Sequence, residues 1–494
     1  MDRKQPNVIL IMTDQQRSDT VNALGAHYMI TPNIDQLVKK GRAYTHAFSP
    51  GATCVTSRAA LFTGLYPHNT GVYSFDNWSH QRSWVEDLSE NGYHCVNIGK
   101  MHIMPIFENI GFHERKIVEN KTENFEAQGM HEDDWGWWLR MHGEKRDLLR
   151  HETDPLWGEK KNCITWDKDE KLHSDIHTGN LAVEWINSWN PKKPLFMQIG
   201  FTGPHEPYDP PERFLNLYRD TQFPERLTRE GELDSKPPQH KAHQDFFSSR
   251  NNGPSQIDLR EASDEEINRI RRHYSAGISL IDEKIGEIID ALGEKGLLEN
   301  SVVIFTSDHG DNLGDHGMPY KWLMYDSITN VPLVITDFRN PSDDNNLKED
   351  LVSLIDLGPT ILDYCNVRIP ERLEGINLNG DEKNQHVYCE DNYLIMIRDD
   401  DFKMVYYIGQ DYGELYDLQK DPHEFTNLWD SSDYLQTRNR LSMNLLAWIS
   451  RSSYFNKNYK SEASDSRPIR WPEDEAFSYY LHGRPGTMRD RTLN

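Results

Sequence analysis

Several short, uninterrupted apolar runs constrain this chain more than any other feature: Asn7-Val8-Ile9-Leu10-Ile11-Met12, Tyr93-His94-Cys95-Val96-Asn97-Ile98-Gly99, Pro194-Leu195-Phe196-Met197-Gln198-Ile199-Gly200, Ser301-Val302-Val303-Ile304-Phe305-Thr306-Ser307 and Pro332-Leu333-Val334-Ile335. Runs of this kind are strands buried on both faces, which calls for a mostly parallel sheet covered by helices. Ligands in open α/β sheets bind at the carboxyl ends of the strands. There the runs deliver Asp14-Gln15, Lys100-Met101-His102, Pro204-His205-Glu206-Pro207 and Asp308-His309-Gly310-Asp311. Asp14 and Gln15 suit a metal ion with oxygen ligands, the alternative for Asp14 being a helix cap. The acidic, His- and Gly-rich turn made by Asp308-His309-Gly310-Asp311, then Gly314-Asp315-His316-Gly317 and Lys321, supplies the second half of such a site. Alternation puts Lys100 and His102 on one side if the extended backbone continues, an arrangement fitted to hold an anion and move a proton. Prolines on both sides of His205 restrain it, which would benefit a positioned acid or base, the alternative being a rigid turn and nothing more.

Residues 50–64 carry one more candidate. Pro50-Gly51 breaks regular structure, Thr53 or Ser57 can cap, and Ala59-Ala60-Leu61-Phe62 propagates a helix, so Cys54 falls within a turn of a helix N-terminus. Backbone N–H groups and the dipole there favour an anion, and Arg58 adds a cation. A cysteine in that field is either a nucleophile or a small buried residue.

Composition narrows the partners. With 54 Lys+Arg against 79 Asp+Glu the formal net charge is −25, which argues against nucleic acid and anionic membranes. An anionic substrate therefore needs a local cationic pocket. Five widely spaced cysteines without a Cys-x-x-Cys pair read as reduced thiols. No apolar run reaches the length of a membrane span. The start goes directly into a strand, so the chain reads as cytoplasmic as it stands, or as periplasmic or secreted if a leader has been removed.

The remaining stretches are less regular. Residues 31–37 open a helix with Pro32 near its first turn. Residues 113–190 show no clean period and carry many tryptophans, so they read as an insertion walling the pocket, with some of the tryptophans in the core because 179–189 reads as an amphipathic helix. Residues 221–265 read as a polar surface loop or flap, 266–292 as a helix and 353–362 as a capped helix. Three β-prone runs at 386–389, 393–397 and 402–408 suggest a small antiparallel sheet, followed by a helix at 432–450 and a polar tail wrapping the body or lining an entrance. The expected division is 1–375 for a catalytic domain and 376–494 for a smaller subdomain.

Cys54-Val55-Thr56-Ser57-Arg58, with Leu61 and Thr63-Gly64, resembles the signature of the type I sulfatases, Cys-x-Pro-Ser-Arg followed by a leucine-threonine-glycine stretch. Thr56 stands where that family usually has proline. The likeness continues in family order from Asp14-Gln15 to Glu414-Leu415-Tyr416-Asp417-Leu418 and Asp421-Pro422-His423-Glu424. It implies an alkaline-phosphatase-like α/β fold, a large mixed sheet between helices with a smaller C-terminal α+β subdomain. It implies that Cys54 is oxidised to formylglycine by a formylglycine-generating or anaerobic sulfatase-maturating enzyme. It further implies that Asp14, Gln15, Asp308 and His309, with the matured Cys54, hold one divalent cation, usually Ca2+; the nitrogen donor keeps Mn2+ and Mg2+ as alternatives. The expected substrate is a sulfated carbohydrate. Arg58, Lys100 and Lys321 would neutralise its sulfate, Asp308 would accept the proton of the attacking hydroxyl, His205 or Lys321 would protonate the departing alcohol, and His102 would assist sulfate release. Another reaction class is a phosphodiester or phosphonate monoester hydrolase of the same superfamily, whose motif carries Ala where this chain has Ser57. A third reading, a binding protein that has lost maturation, is opposed by the retention of the other charged site residues.

Overall fold

The structure, a computed structural model, describes residues 5–456 apart from 74–75, 126–130, 149, 155, 191, 250–252 and 343–345. The expected tail beyond 456 lies outside the described residues. The apolar runs form the strands that their composition dictates. β1 (Asn7–Asp14) is buried at all eight positions. β2 (Arg42–Tyr44), β4 (His94–Gly99), β5 (Glu114–Lys116), β6 (Leu195–Pro204), β7 (Ser301–Ser307), β8 (Leu333–Asp337) and β9 (Asn346–Lys348) complete an eight-stranded sheet in the order β5-β4-β6-β1-β7-β8-β2-β9. β1 lies at its centre, parallel to β6 and β7, whereas β8 runs antiparallel to both β7 and β2. The sheet is therefore mixed. β3 (Ala47–Phe48) and β10 (Val352–Ser353) form a separate short pair.

Alternation sorts β1 into two cores. Ile9 and Ile11 pack on the side of the 31-residue helix Asp264–Glu294, together with Ile278, Ile281 and Ile285. Val8, Leu10 and Met12 pack on the other side with Leu61 and Phe62 of a helix that begins at Cys54. Each such fully buried side chain contributes about 1.5–3 kcal/mol of transfer free energy. α1 (Pro32–Lys40) starts with Pro at its first position, and the Asp282 carboxylate accepts from the Asn33 and Ile34 amides at its N-terminus.

Three expectations are corrected. Residues 113–190 are more regular than expected: 114–116 form β5, and the helix expected over 179–189 runs from Ser174 to Ser188, packed against β6 and the Asp264–Glu294 helix. The short polar helical turns hid this periodicity. Some of the tryptophans are core, as expected, Trp135 with Leu139 and Leu172, and Trp185 stacked on Trp189. Residues 221–265 contain the helix Pro238–Ser248, opened by Pro at its first position and anchored by buried His240 and Phe247. Finally, β4 ends at Gly99, so alternation does not extend to His102.

At the C-terminal side β11 (Val387–Asp391), β12 (Leu394–Arg398), β13 (Phe402–Tyr407) and β14 (Gly413–Asp417) form an antiparallel meander in sequence order. The chain divides into two units, Met1–Arg438 and Asn439–Asn494; all the strands lie in the first, and the helix Leu435–Phe455 enters the second. No helix among the described residues is long and apolar enough to cross a membrane.

Candidate active site

The carboxyl ends of β1, β4, β6 and β7 converge on the start of α2 (Cys54–Thr63). Thr53 precedes that helix in an extended conformation (φ −138°), and Gly64 ends it at φ 71° with its N–H on the Ala60 carbonyl. Cys54 is the first helical residue and 1% exposed. The expected side-chain cap is absent; the Thr53 hydroxyl instead meets the Thr56 hydroxyl at 3.0 Å.

Arg58, one turn on from Cys54, ties the strand ends together. Its Nε donates to Asp308 Oδ2 at 2.7 Å, its Nη2 to Asp14 Oδ2 at 3.3 Å and its Nη1 to the Lys100 carbonyl at 2.9 Å. All three side chains are fully buried, and the two carboxylates hold the guanidinium firmly charged despite desolvation. Lys100 Nζ reaches Asp14 Oδ2 at 2.5 Å and also bonds Asn120. Burial alone would raise the Asp14 carboxyl, but Lys100, His205, Lys321 and Arg58 together hold it well below the usual carboxylate range.

Lys321 Nζ lies 3.8 Å from Cys54 Sγ and 3.4 Å from His309 Nε2. Burial opposes charge on Lys321, yet Cys54, Asp14 and Glu206 hold its pKa above the normal value. In return, Lys321 and Lys100 outweigh the desolvation of Cys54 and draw its thiol below its usual pKa. Buried positive charge is thus gathered at Cys54 in an otherwise acidic chain.

His102 and His205 flank it. His102 is 5% exposed, with its amide on Glu119 Oε1 at 3.0 Å and its carbonyl accepting from Trp78 Nε1 at 3.1 Å. Burial, then Lys100, push its pKa down to about 4. His205 donates from Nδ1 to the Glu206 carbonyl at 2.7 Å, and burial, then Lys321, hold it well below 6.5. Both imidazoles are neutral at neutral pH, each able to accept a proton.

The residue chemistry fits a metal ion. Ligand atoms of Asp14, Asp308 and His309 lie within 4.8 Å of one another. Asp14 Oδ1 and Gln15 Oε1 are buried and lack a hydrogen-bond partner, a costly state unless a cation completes them. His309 donates from Nδ1 to the Gly310 carbonyl at 2.8 Å, which leaves Nε2 as the lone-pair nitrogen. Gln15 adopts φ 70°, and its Nε2 donates to Glu206 Oε2 at 3.0 Å and Asp311 Oδ2 at 2.6 Å, so the amide oxygen is fixed as the free end.

Thus Asp14, Gln15, Cys54, Arg58, Lys100, Asp308, His309 and Lys321 share one buried cluster, with His102 and His205 within its electrostatic reach. Supporting groups escaped the sequence reading. Glu119 and Asn120, which position His102 and Lys100, follow β5 with no motif to mark them. Glu206 and Asp311 stand inside the runs that supplied His205 and His309, and their acidity beside those histidines was a usable signal.

The sulfatase family matches residues 6–367, and a second family, N-sulphoglucosamine sulphohydrolase, C-terminal, matches residues 314–451. An arylsulfatase of Clostridium perfringens (strain 13 / Type A) is 30% identical over 456 residues, spanning 87% of this chain and 91% of its own. Among solved structures, a phosphonate monoester hydrolase of Agrobacterium radiobacter superposes with a TM-score of 0.78 at 24% identity, over 90% of this chain and 96% of its own. A structure holding its substrate D-glucosamine-2-N,6-O-disulfate superposes with a TM-score of 0.72 at 21% identity, over 94% of this chain and 100% of its own. The mixed sheet with its antiparallel C-terminal sheet is the alkaline-phosphatase-like fold of these neighbours. Since the match runs from before β1 to beyond β10 and takes in every residue of the cluster, the chain belongs to the sulfatase family of hydrolases.

Proposed function

We propose that this enzyme hydrolyses a sulfate ester of a carbohydrate at Cys54 after its conversion to formylglycine, with one divalent cation held by Asp14, Gln15, Asp308 and His309. The observation that supports this most is the buried meeting of Lys321, Lys100 and Arg58 around Cys54 in a chain of net charge −25. A sulfate monoester repels nucleophiles through its own oxygens, so its hydrolysis needs such fixed positive charge in a dry site. When bound, the cation would add further charge neutralisation, and the formylglycine hydrate would supply a hydroxyl for attack on sulfur and a second for release.

The chain's own residues divide the remaining work. Lys100 and Lys321 bind the sulfate oxygens, and Arg58 keeps both carboxylates aimed. Asp308 takes the proton of the attacking hydroxyl. Lys321, which is held charged, gives a proton to the departing alcohol oxygen, a role open to neutral His205 only after it has taken up a proton, and His102, neutral above its depressed pKa, takes one during sulfate release. The substrate-bound neighbour carries a sulfated amino sugar, which supports a carbohydrate as the alcohol half.

The likeness to the phosphonate monoester hydrolase favours a second reading, hydrolysis of phosphonate or phosphodiester groups in the same site. One experiment separates them. The protein is expressed with a formylglycine-generating enzyme, conversion of Cys54 is verified by mass spectrometry of the tryptic peptide 43–58, and release of sulfate from sulfated sugars is measured beside hydrolysis of phenyl phosphonate esters. Sulfate release is the expected outcome. Converted enzyme that cleaves only the phosphonate esters selects the second reading.

A further inference from the structure

Recognition of the alcohol half has a candidate on the C-terminal sheet. The loop that delivers Cys54 is fastened to β11: Glu390 N donates to the Pro50 carbonyl at 3.0 Å, and Ala52 shares an apolar cluster with Cys389. Asp391, two residues beyond Cys389, projects from the same face of that strand. Cys54 and Lys321 both act on its carboxyl electrostatically, and Thr53, whose hydroxyl donates to Thr56, lies beside it. Glu390 turns to the other face, where it meets His68 Nδ1 at 2.6 Å.

Asp391 is 1% exposed and half satisfied. Asn392 Nδ2 donates to Oδ1 at 3.0 Å, whereas Oδ2 is buried with no hydrogen-bond partner. A buried carboxyl oxygen in that condition is costly, and its cost disappears when a ligand brings a partner. The metal-binding and proton-transfer roles assigned above make no use of it.

We propose that Asp391 is a specificity-determining residue, which binds through Oδ2 a hydroxyl or amino group on the alcohol half of a sulfated sugar. This rests on the sulfatase reading and deepens it: aryl sulfates lack such a group, and sugars present it close to the sulfate.

The test compares Asp391→Asn and Asp391→Ala with the wild type, all converted to formylglycine. The substrates are D-glucose 3-sulfate, D-glucosamine 6-sulfate, 4-nitrophenyl sulfate, and choline sulfate, which carries a cation but no O–H or N–H donor. The loss of kcat/KM on at least one sugar sulfate should exceed that on 4-nitrophenyl sulfate by about tenfold or more. Equal losses on all four substrates would show a structural role, and a loss confined to choline sulfate would show attraction of a cation; either overturns the proposal. Calorimetric titration of the same sugar sulfates into Cys54→Ser and Cys54→Ser/Asp391→Asn reads the contact without turnover. The expected result is about tenfold weaker sugar binding in the double variant, and equal affinities overturn the proposal. A wild type that cleaves no sulfate ester refutes the sulfatase reading, whereas an active wild type with an unchanged sugar-to-aryl ratio in the variants refutes only the assignment of Asp391.

Discussion

At the scale of single residues the site depends on Arg58. Its guanidinium satisfies two carboxylates and one backbone carbonyl, each from a different strand end. Arg58→Lys keeps the charge but cannot span all three acceptors. Loss of one partner from a buried ion cluster costs about 3–5 kcal/mol. Urea unfolding of the variant should show a loss of that size, and sulfate release should fall with it. His102 offers a test of the opposite kind. Its folded pKa of about 4 lies below the 6.5 of an ordinary histidine, so as pH falls from 6.5 to 4 the unfolded chain takes up a proton that the folded protein refuses. Its contribution is therefore intact above 6.5 and lost across that window, on the order of 3 kcal/mol. The stability of the wild type minus that of His102→Gln should fall by that order between pH 6.5 and 4. A flat difference would mean that His102 is not held neutral. Asp14, His205 and Asp308 were legible because each follows an apolar run. Asp391, which also ends a strand, was not, because its run alternates less cleanly and belongs to a different sheet.

Among the elements, the close approach of β4 and β6 matters most. Lys100 N donates to the Gly200 carbonyl at 2.8 Å, and a Cβ on Gly200 would stand 2.1 Å from the Lys100 carbonyl. Gly99 permits the turn with φ 92°, and a Cβ there would meet the Gly200 carbonyl at 2.0 Å. These contacts set where Lys100 and His102 leave the sheet. Gly200→Ala must push the two strand ends apart, with an expected loss of about 1–3 kcal/mol and a larger proportional fall in kcat than in thermal stability. Unchanged kcat would show that the ends have slack. The central strands were readable from their continuous burial, and the Asp264–Glu294 helix from its long period. Within residues 113–190 the helix was readable too, but β5 was not, because it has only three residues and its strand identity comes from pairing with β4 rather than from its own sequence.

For the molecule as a whole, the C-terminal sheet is held on by buried charge as well as by apolar contact. Lys403 of β13 sits between Asp326 and Glu424 at 2.6 and 2.5 Å, with its side chain fully buried. Lys403→Met leaves two carboxylates facing each other and should cost about 3–5 kcal/mol in chemical denaturation. Removal of the proposed cation should also register globally: a ligand present at 100 times its Kd contributes about 2.7 kcal/mol. Thermal melts in EDTA should shift down and recover on adding Ca2+ or Mn2+, and identical melts would argue against a tightly held ion.

If Cys54 is oxidised to formylglycine as proposed, the burial of α2 imposes an order of events on the life of the protein. All ten of its residues, Cys54 among them, are enclosed once the sheet and the C-terminal meander have closed over them. An oxidising enzyme that must grip the residues around Cys54 can do so only while this segment is still loose. Folding speed then becomes a deadline, and a chain that matures too late remains folded, stable and inert.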